Sequence, residues 1–435
     1  MLFGFSNLEA EISYMNPIYM LLVIPFFFLA MGIEWAYMRA KKKNWYRIND
    51  SVNNLILGIG QQLWDLVFKG VTFGVYIWAY NNYSVFKIQA TWWSFILCLI
   101  VFDLFFYWAH RWGHEVNIFW GAHSVHHQSE EYNLSVALRQ SWFHHILAFF
   151  IFIPIPLMGF DPVTFGSAAL VQTLYQFWIH TKAIGKLPRW FEFWLNTPSH
   201  HRVHHAINPA YIDKNHAGVF MIWDRLFGTF KEEEADTEIT YGITTQLKSW
   251  NAAWANMHYY VEIFQKARLM KWKDKLKMLI AKPGWLPDYM GGFEDAKEVD
   301  TNSYKKYNAD TNKWFKIYAI IQFIILLAGS VDYMAHFNEI SMFYKVVFFL
   351  LILITMLITG AIFENKRWIA YAEYTRLALV MLSLNTFYYF WHLSWFNVTL
   401  VLSIIAFLGC VALFTYSYRY MRHLGTDLAT FNNRT

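Results

Sequence analysis

Apolar runs long enough to cross a bilayer recur along most of this chain, and they restrict it to folds that live in lipid. They cover about residues 17–37, 52–80, 91–108, 315–331, 343–363, 369–389 and 396–416. A helix needs roughly 20 apolar residues to span the hydrocarbon core. Only a helix or a closed barrel satisfies the backbone there. The chain is 56% hydrophobic, 20% aromatic and only 15% charged, against about 25% charged in soluble domains. The expectation is an all-α, polytopic integral membrane protein: a helical bundle with a cytoplasmic, histidine-rich cap. The second run is ambiguous, because Asp65 and Lys69 interrupt it. Two shorter runs, about 146–160 and 162–179, are separated by Gly159, Asp161 and Pro162. They predict a helical hairpin that dips into the bilayer, or a re-entrant segment, and returns His180 to the side it left.

Charge sets the expected topology. The net charge is +5, and basic residues gather in RAKKKNWYR (Arg39–Arg47), ENKR (Glu364–Arg367) and YRYMRH (Tyr418–His423). These loops read as cytoplasmic topology signals, and no nucleic-acid partner is expected. Cys98 and Cys410 lie far apart inside apolar runs, so no disulfide framework is predicted. The N-terminal MLFGFSNLEAEIS lacks a basic n-region, which predicts that the first run is retained as an anchor. The long polar stretch from Thr181 to about Asn312 carries KEEEADTE (Lys231–Glu238) and a mixed charged segment, Lys266–Lys277; both read as solvated. Two domains are expected: a catalytic domain over residues 1–300, and a C-terminal membrane module of about four helices over 301–435, without histidine clusters.

Thirteen of the 17 histidines lie between His110 and His216. HRWGH supplies His110 and His114; HSVHH supplies His123, His126 and His127; HHRVHH supplies His201, His204 and His205; His180 closes an apolar run. On a helix, residues three and four apart share a face, so each motif is expected to present one imidazole face. Nine imidazoles suffice for two metal ions at four or five ligands each. A lone boundary histidine is ordinarily a packing residue. Three grouped motifs are not, because each buried ring carries a nitrogen that needs a partner. Imidazole suits iron, zinc, copper and nickel. The lack of nearby cysteine excludes thiolate and iron–sulfur sites. Affinity order does not choose among these metals; a redox-active one suits oxygen activation beside lipid. His144 and His145 read as interfacial, His200 as a neighbour of the ligands, and His216 is open. His258, His336, His392 and His423 read as boundary residues.

The histidine pattern resembles the fatty acid hydroxylase and sterol desaturase superfamily of membrane di-iron enzymes. HRWGHEVNIFWGAHSVHHQSEEYNLSVALRQS (His110–Ser141), LYQFWIHT (Leu174–Thr181) and NTPSHHRVHHAINPAYIDKNHAGVFMIWDRLFGTF (Asn196–Phe230) are more narrowly similar to its alkylglycerol monooxygenase family. That resemblance implies a centre of two Fe ions facing the cytoplasm, O2 as co-substrate and tetrahydrobiopterin as the electron source. The reaction implied is hydroxylation next to the ether oxygen of an alkylglycerol, which releases a fatty aldehyde and a glycerol derivative. It carries the metal-ligand role onto His110, His114, His123, His126, His127, His180, His201, His204 and His205. Glu115 matches the family's acidic residue and is expected to serve the pterin or to support the ligands. His200, Asn133, Arg139, Asn215 and Asp224 are expected to hold the ligands in place; Glu130, Glu131 and Asp213 are weaker candidates. At His216 the resemblance implies an aromatic residue instead.

Two rival readings stay open at the level of sequence. One is a sterol or fatty-acyl hydroxylase or desaturase fed by an electron-transfer protein. The other is a metal transporter, whose ionisable residues would line a path through the spans. Clustering of the histidines at span ends disfavours the transporter.

Overall fold

The computed structural model describes residues 18–423 except 302, 310 and 392. The N-terminal MLFGFSNLEAEIS and His392 therefore lie outside the described residues, and the side chain of His423 is not described. Among the described residues there are helices and two isolated bridges, Leu195 to Phe220 and Ala206 to Tyr241, and no strands. The chain forms two compact units: residues up to Leu247 with Ala255–Lys306, and Lys248–Trp254 with the residues from Tyr307 onward.

The first unit begins with α1 (Ile18–Ala40), α2 (Ile48–Tyr83) and α3 (Trp92–Glu115). α3 starts at a capping box, in which Thr91 and Ser94 satisfy each other's backbone N–H. It runs straight into α4 (Asn117–His127) and then the short α5 (Leu134–Ala137). The expected apolar hairpin forms, with a broken first arm: α6 (His144–Ala148), a 3-10 turn at Phe149–Phe152, and α7 (Pro154–Met158). Pro154 and Pro156 lack the N–H that a continuous helix needs, and Gly159 ends the arm at φ 100°. The return arm, α8 (Pro162–Trp178), is capped by Asp161, which accepts from the N–H groups of Val163 and Thr164 at 3.0 Å. Short helices follow at α9 (Arg189–Trp194), α10 (Pro198–His204) and α11 (Ile222–Phe227), then α12 (Ala252–Arg268) and α13 (Trp272–Ile280). The apolar core joins Tyr76 of α2, Cys98 and Phe102 of α3, Ile155 of α7, and Phe160 and Ala168 of the hairpin return.

The second unit is built on α14 (Lys313–Ala335), α15 (Met342–Phe363), α16 (Ile369–Trp391) and α17 (Leu393–His423). Asn312 caps α14 by accepting from the N–H groups of Trp314 and Phe315. A polar cluster lies inside this unit. Arg376 donates to both carboxylate oxygens of Glu373, to Gln322 at 2.6 Å and to Thr355 at 3.3 Å. Tyr318 donates to the same carboxylate.

Five helices among the described residues are long and apolar enough to cross a membrane: Val23–Ala40, Trp92–Glu115, Lys313–Ala335, Met342–Phe363 and Leu393–Met421. The protein is a multi-pass membrane protein. Two expected spans fall short of this measure, and the reason is polar content. α2 carries Asn49, Asp50, Asn53, Asn54, Gln61 and Asp65, all buried; Asp65 accepts from His145 Nδ1 at 2.7 Å. α16 carries the Glu373–Arg376 pair.

Candidate metal centre

All nine grouped histidines are buried, and four elements deliver them to one place. His110 and His114 occupy the last turns of α3. His123, His126 and His127 end α4. His180 sits just beyond α8. His201 and His204 lie on α10, with His205 as its cap. Pro198 at the first position of α10 fixes its start without losing a hydrogen bond.

The imidazoles divide into two nests. His110, His114, His123, His127 and His204 form one, and His126, His180, His201 and His205 form the other. Within each nest one ring nitrogen per residue lies within 4.8 Å of all the others. Two nitrogens across a metal at about 2.1 Å would stand about 4.2 Å apart, so each nest has the dimensions of a coordination sphere.

This division corrects the expectation of one face per motif. In α4, His123 and His127 serve the first nest and His126 the second. In α10 the roles reverse: His201 and His205 serve the second nest and His204 the first. The cause is helical geometry. Residues four apart are offset by about 40°, whereas adjacent residues are offset by about 100°. His126–His127 and His204–His205 therefore each feed both sites.

The ring tautomers show what the nests are built to hold. His126 Nδ1 faces the Arg139 carbonyl at 2.9 Å, and His180 Nδ1 faces the Gln176 carbonyl at 2.6 Å. A carbonyl only accepts, so both Nδ1 atoms carry the proton and both Nε2 atoms are left with lone pairs. Those two Nε2 atoms are 3.1 Å apart, and His201 Nε2 is 3.0 Å from that of His180. Lone pairs facing each other at this distance repel unless a cation lies between them. A proton is disfavoured: burial, the largest cause, pushes the pKa of His126 down to about 4 and those of His180, His201 and His205 well below the ordinary value. A metal ion meets the same need. The first nest repeats the pattern. His110 Nδ1 donates to the His216 carbonyl at 2.8 Å and His204 Nδ1 to the Lys214 carbonyl at 3.0 Å. His114 Nε2 and His204 Nε2 of this nest, and His205 Nε2 of the second, are buried without hydrogen bonds. The donor set fits a pair of borderline metal ions such as iron.

The surrounding residues hold this frame. Asp224 is fully buried and accepts from the N–H groups of His216 at 2.8 Å and Ala217 at 2.7 Å, and from Thr229 at 2.6 Å. It thereby fixes the carbonyl that orients His110. Burial pushes its pKa up to about 6, against the pull of those donors. Asn215, at φ 57°, ties this turn to the carbonyls of His200 and Lys231. Arg139 donates to Val125, Asn53, Asn54 and Gln128, stapling the end of α4 to α2. Asp213 reaches His114 Nδ1 at 3.4 Å.

Other candidates stand apart from the nests. Glu115 pairs with Arg111 at 3.1 Å and keeps about a fifth of its side chain exposed. Asn133 caps α5 and donates to the Trp45 carbonyl. His200 stacks edge-on against Phe230 and joins neither nest. Glu130 and Glu131 bind Arg47, and Glu131 also binds Lys306.

Sequence reasoning left His216 open and read His144 as interfacial. The His216 ring is fully buried 5.0 Å from that of His114, and neither of its nitrogens is hydrogen-bonded. His144 lies 5.9 Å from His123. It lines an apolar recess with Ala109, Gly113, Ala122, Leu147 and Ile151. A Cβ on Gly113 would stand 3.1 Å from the His123 ring, tighter than an ordinary contact, so a side chain here would require that ring to shift by a few tenths of an ångström. The thirteen-histidine density was the available signal for both residues; spacing gave none.

The histidine-bearing region and most of the chain are similar to known proteins. The fatty acid hydroxylase profile matches residues 95–229. The chain is 34% identical over 388 residues to alkylglycerol monooxygenase of Xenopus tropicalis, covering 87% of this chain and 83% of that one. It is 32% identical over 388 residues to the Homo sapiens alkylglycerol monooxygenase, covering 87% and 84%. Human lathosterol oxidase is 26% identical over 153 residues, 34% of this chain and 48% of that one. No solved structure matches. By extent and identity, the chain belongs to the alkylglycerol monooxygenases, membrane lipid monooxygenases with a fatty acid hydroxylase domain.

Proposed function

We propose that this protein oxidises the ether-bearing carbon of an alkylglycerol, using O2 at a centre of two irons held by the nine nested histidines. Tetrahydrobiopterin is the electron donor in this reading. The observation that carries it is the paired nest of five and four convergent imidazoles, in which the buried Nε2 atoms of His114, His204 and His205 have no hydrogen bond. When bound, the two irons supply O2 activation and C–H oxidation. The carbonyls of Arg139, Gln176, Lys214 and His216 hold His126, His180, His204 and His110 in the tautomer that presents Nε2. One atom of O2 enters a C–H bond of the ether carbon as a hydroxyl, the other leaves as water with two electrons and two protons from the pterin, and the hemiacetal so formed breaks its C–O bond. The hydroxyl proton leaves with the glycerol oxygen, and a fatty aldehyde remains. Glu115, at the exposed end of α3, is the proposed contact for the pterin. The nests face the cytoplasm in this reading, in which α2 crosses the bilayer and α3 returns to the side of the basic loop Arg39–Arg47. Residues 1–300 form the catalytic domain in this proposal, and 301–435 a membrane module.

The test is metal analysis with an ether-lipid assay on the purified protein. The expected result is about two irons per chain and turnover with reduced pterin and no electron-transfer protein. His127→Ala and His204→Ala should each lose iron and turnover together. Full O2-dependent activity in either variant would refute the centre. Strict dependence on a ferredoxin or cytochrome would refute the pterin.

A further inference from the structure

The segment Lys266–Lys277, read from sequence as solvated, is amphipathic in the structure. α13 (WKDKLKMLI) turns Met278 inward, where it packs with Ile263, Met270 and Leu286. Its opposite side carries Trp272, Leu276, Leu279 and Ile280, of which Trp272, Leu276 and Ile280 are 67%, 59% and 72% exposed. At about 100° per residue these four positions form one stripe about 100° wide. Leu269 and Phe264, 75% and 65% exposed, add apolar surface on the adjoining turn and on α12. The stripe has basic borders: Lys275 falls on one edge, Lys273 and Lys277 on the other.

Exposed apolar side chains are expected on a helix that spans lipid. α13 has nine residues, far fewer than the roughly 20 a span requires, so its exposed stripe calls for another surface. Hydrogen bonds fix its height. Asn117 is the first residue of α4 and follows the end of the α3 span by two positions. Its side chain donates to the carbonyls of Met278 at 2.8 Å and Lys282 at 3.2 Å, and its N–H to that of Ala281 at 2.9 Å. Tyr259 and Tyr260 of α12 bond to Asn117 and Ile118. The α12–α13 pair is therefore bolted to the chain where α3 leaves the hydrocarbon.

We propose that α13 is a lipid-binding element that lies flat in the headgroup layer of an anionic bilayer. Trp272, Leu276, Leu279 and Ile280 enter the acyl boundary, and the bordering lysines reach lipid phosphates. This is the geometry of an interfacial amphipathic helix, with long basic side chains extending from an apolar face to the polar layer. Lysines rather than acidic residues at both borders select an anionic surface over a zwitterionic one. Because α4 carries His123, His126 and His127, lipid docking braces the helix that contributes to both nests. The inference does not depend on the reaction catalysed.

The test uses the full chain in bilayers of phosphatidylcholine, with and without phosphatidylglycerol. Cys98 and Cys410 are buried, so an introduced cysteine is labelled selectively. Leu276→Cys carries an environment-sensitive fluorophore, and Asp236→Cys, on an exposed loop, is the reference. Nitroxides on the lipid acyl chains should quench the label at 276 and leave that at 236 unchanged. Phosphatidylglycerol should increase the quenching. Replacing Lys273, Lys275 and Lys277 together by Gln should shift the docked-to-undocked ratio by roughly tenfold or more. A label at 276 that is as water-accessible as that at 236 would overturn the proposal. So would protection from aqueous reagents without lipid quenching, which would mean that protein covers the stripe. Equal docking with and without phosphatidylglycerol would overturn the anionic selectivity.

Discussion

Two regions of this protein bury polar side chains among apolar ones and meet the cost in opposite ways. The Glu373–Arg376 cluster of the second unit is closed: Glu373, Arg376, Gln322, Thr355 and Tyr318 satisfy one another through hydrogen bonds within the unit. The histidine nests of the first unit are open: His114, His123, His201, His204 and His205 each keep a buried nitrogen without a hydrogen bond. A closed buried network fixes an arrangement of helices. An open one, whose lone pairs converge, requires a ligand that the chain does not supply. The difference separates architecture from chemistry more sharply than polarity or burial alone, since both regions are polar and buried.

That contrast can be broken by mutation, and the largest effect belongs to the closed cluster. Replacing only one partner, as in Arg376→Met, leaves a buried carboxylate uncompensated and should destabilise the second unit by about 3–5 kcal/mol. Replacing both, Glu373→Leu with Arg376→Met, should recover most of that loss. Thermal unfolding in detergent measures both, and iron content should be unchanged in the double variant. A double variant as unstable as the single would show that the cluster is more than a matched pair.

An intermediate effect is expected where the first unit supports its open nest. Asp224→Asn keeps the volume and loses the charge that holds the His216 and Ala217 N–H groups and Thr229. The carbonyl that orients His110 is then less firmly held, and iron affinity should fall about 10–100-fold. Metal titration of the folded variant checks this, and wild-type affinity would remove Asp224 from the support of the site. The smallest effect is expected at His200. Its ring rests on Phe230 outside both nests, so His200→Gln should keep wild-type iron content. Loss of iron there would mean that the boundary between nest and neighbour is drawn in the wrong place.

Much of the fold was legible in advance for a simple reason. Long apolar runs can satisfy their backbone in lipid only as helices, so the helices α1, α3, α14, α15 and α17 follow from composition and length. How α2 and α16 accommodate their buried charges was not legible, because those charges are partnered by residues distant in sequence: Asp65 by His145, Glu373 by Tyr318. The nine grouped histidines could be named from their spacing. Their allocation could not, because spacing sets the angle between side chains on a helix and not what stands opposite each one. Asp224 acts through the backbone of His216 rather than through any side-chain pattern, and His216 itself reaches the first nest through a turn anchored by Asn215.

The sequence by itself determined the solvent this protein lives in, its helical class and the histidines with the chemistry to hold metal, because hydropathy, helix length and imidazole are local properties. Only the tertiary structure decided that His126 and His204 each cross to the nest opposite their motif partners, that carbonyls turn Nε2 of His110, His126, His180 and His204 inward, and that α13 turns an apolar stripe outward between lysines. Those outcomes depend on which carbonyl, ring or open surface meets each side chain, and that is settled only when helices far apart in the chain pack together.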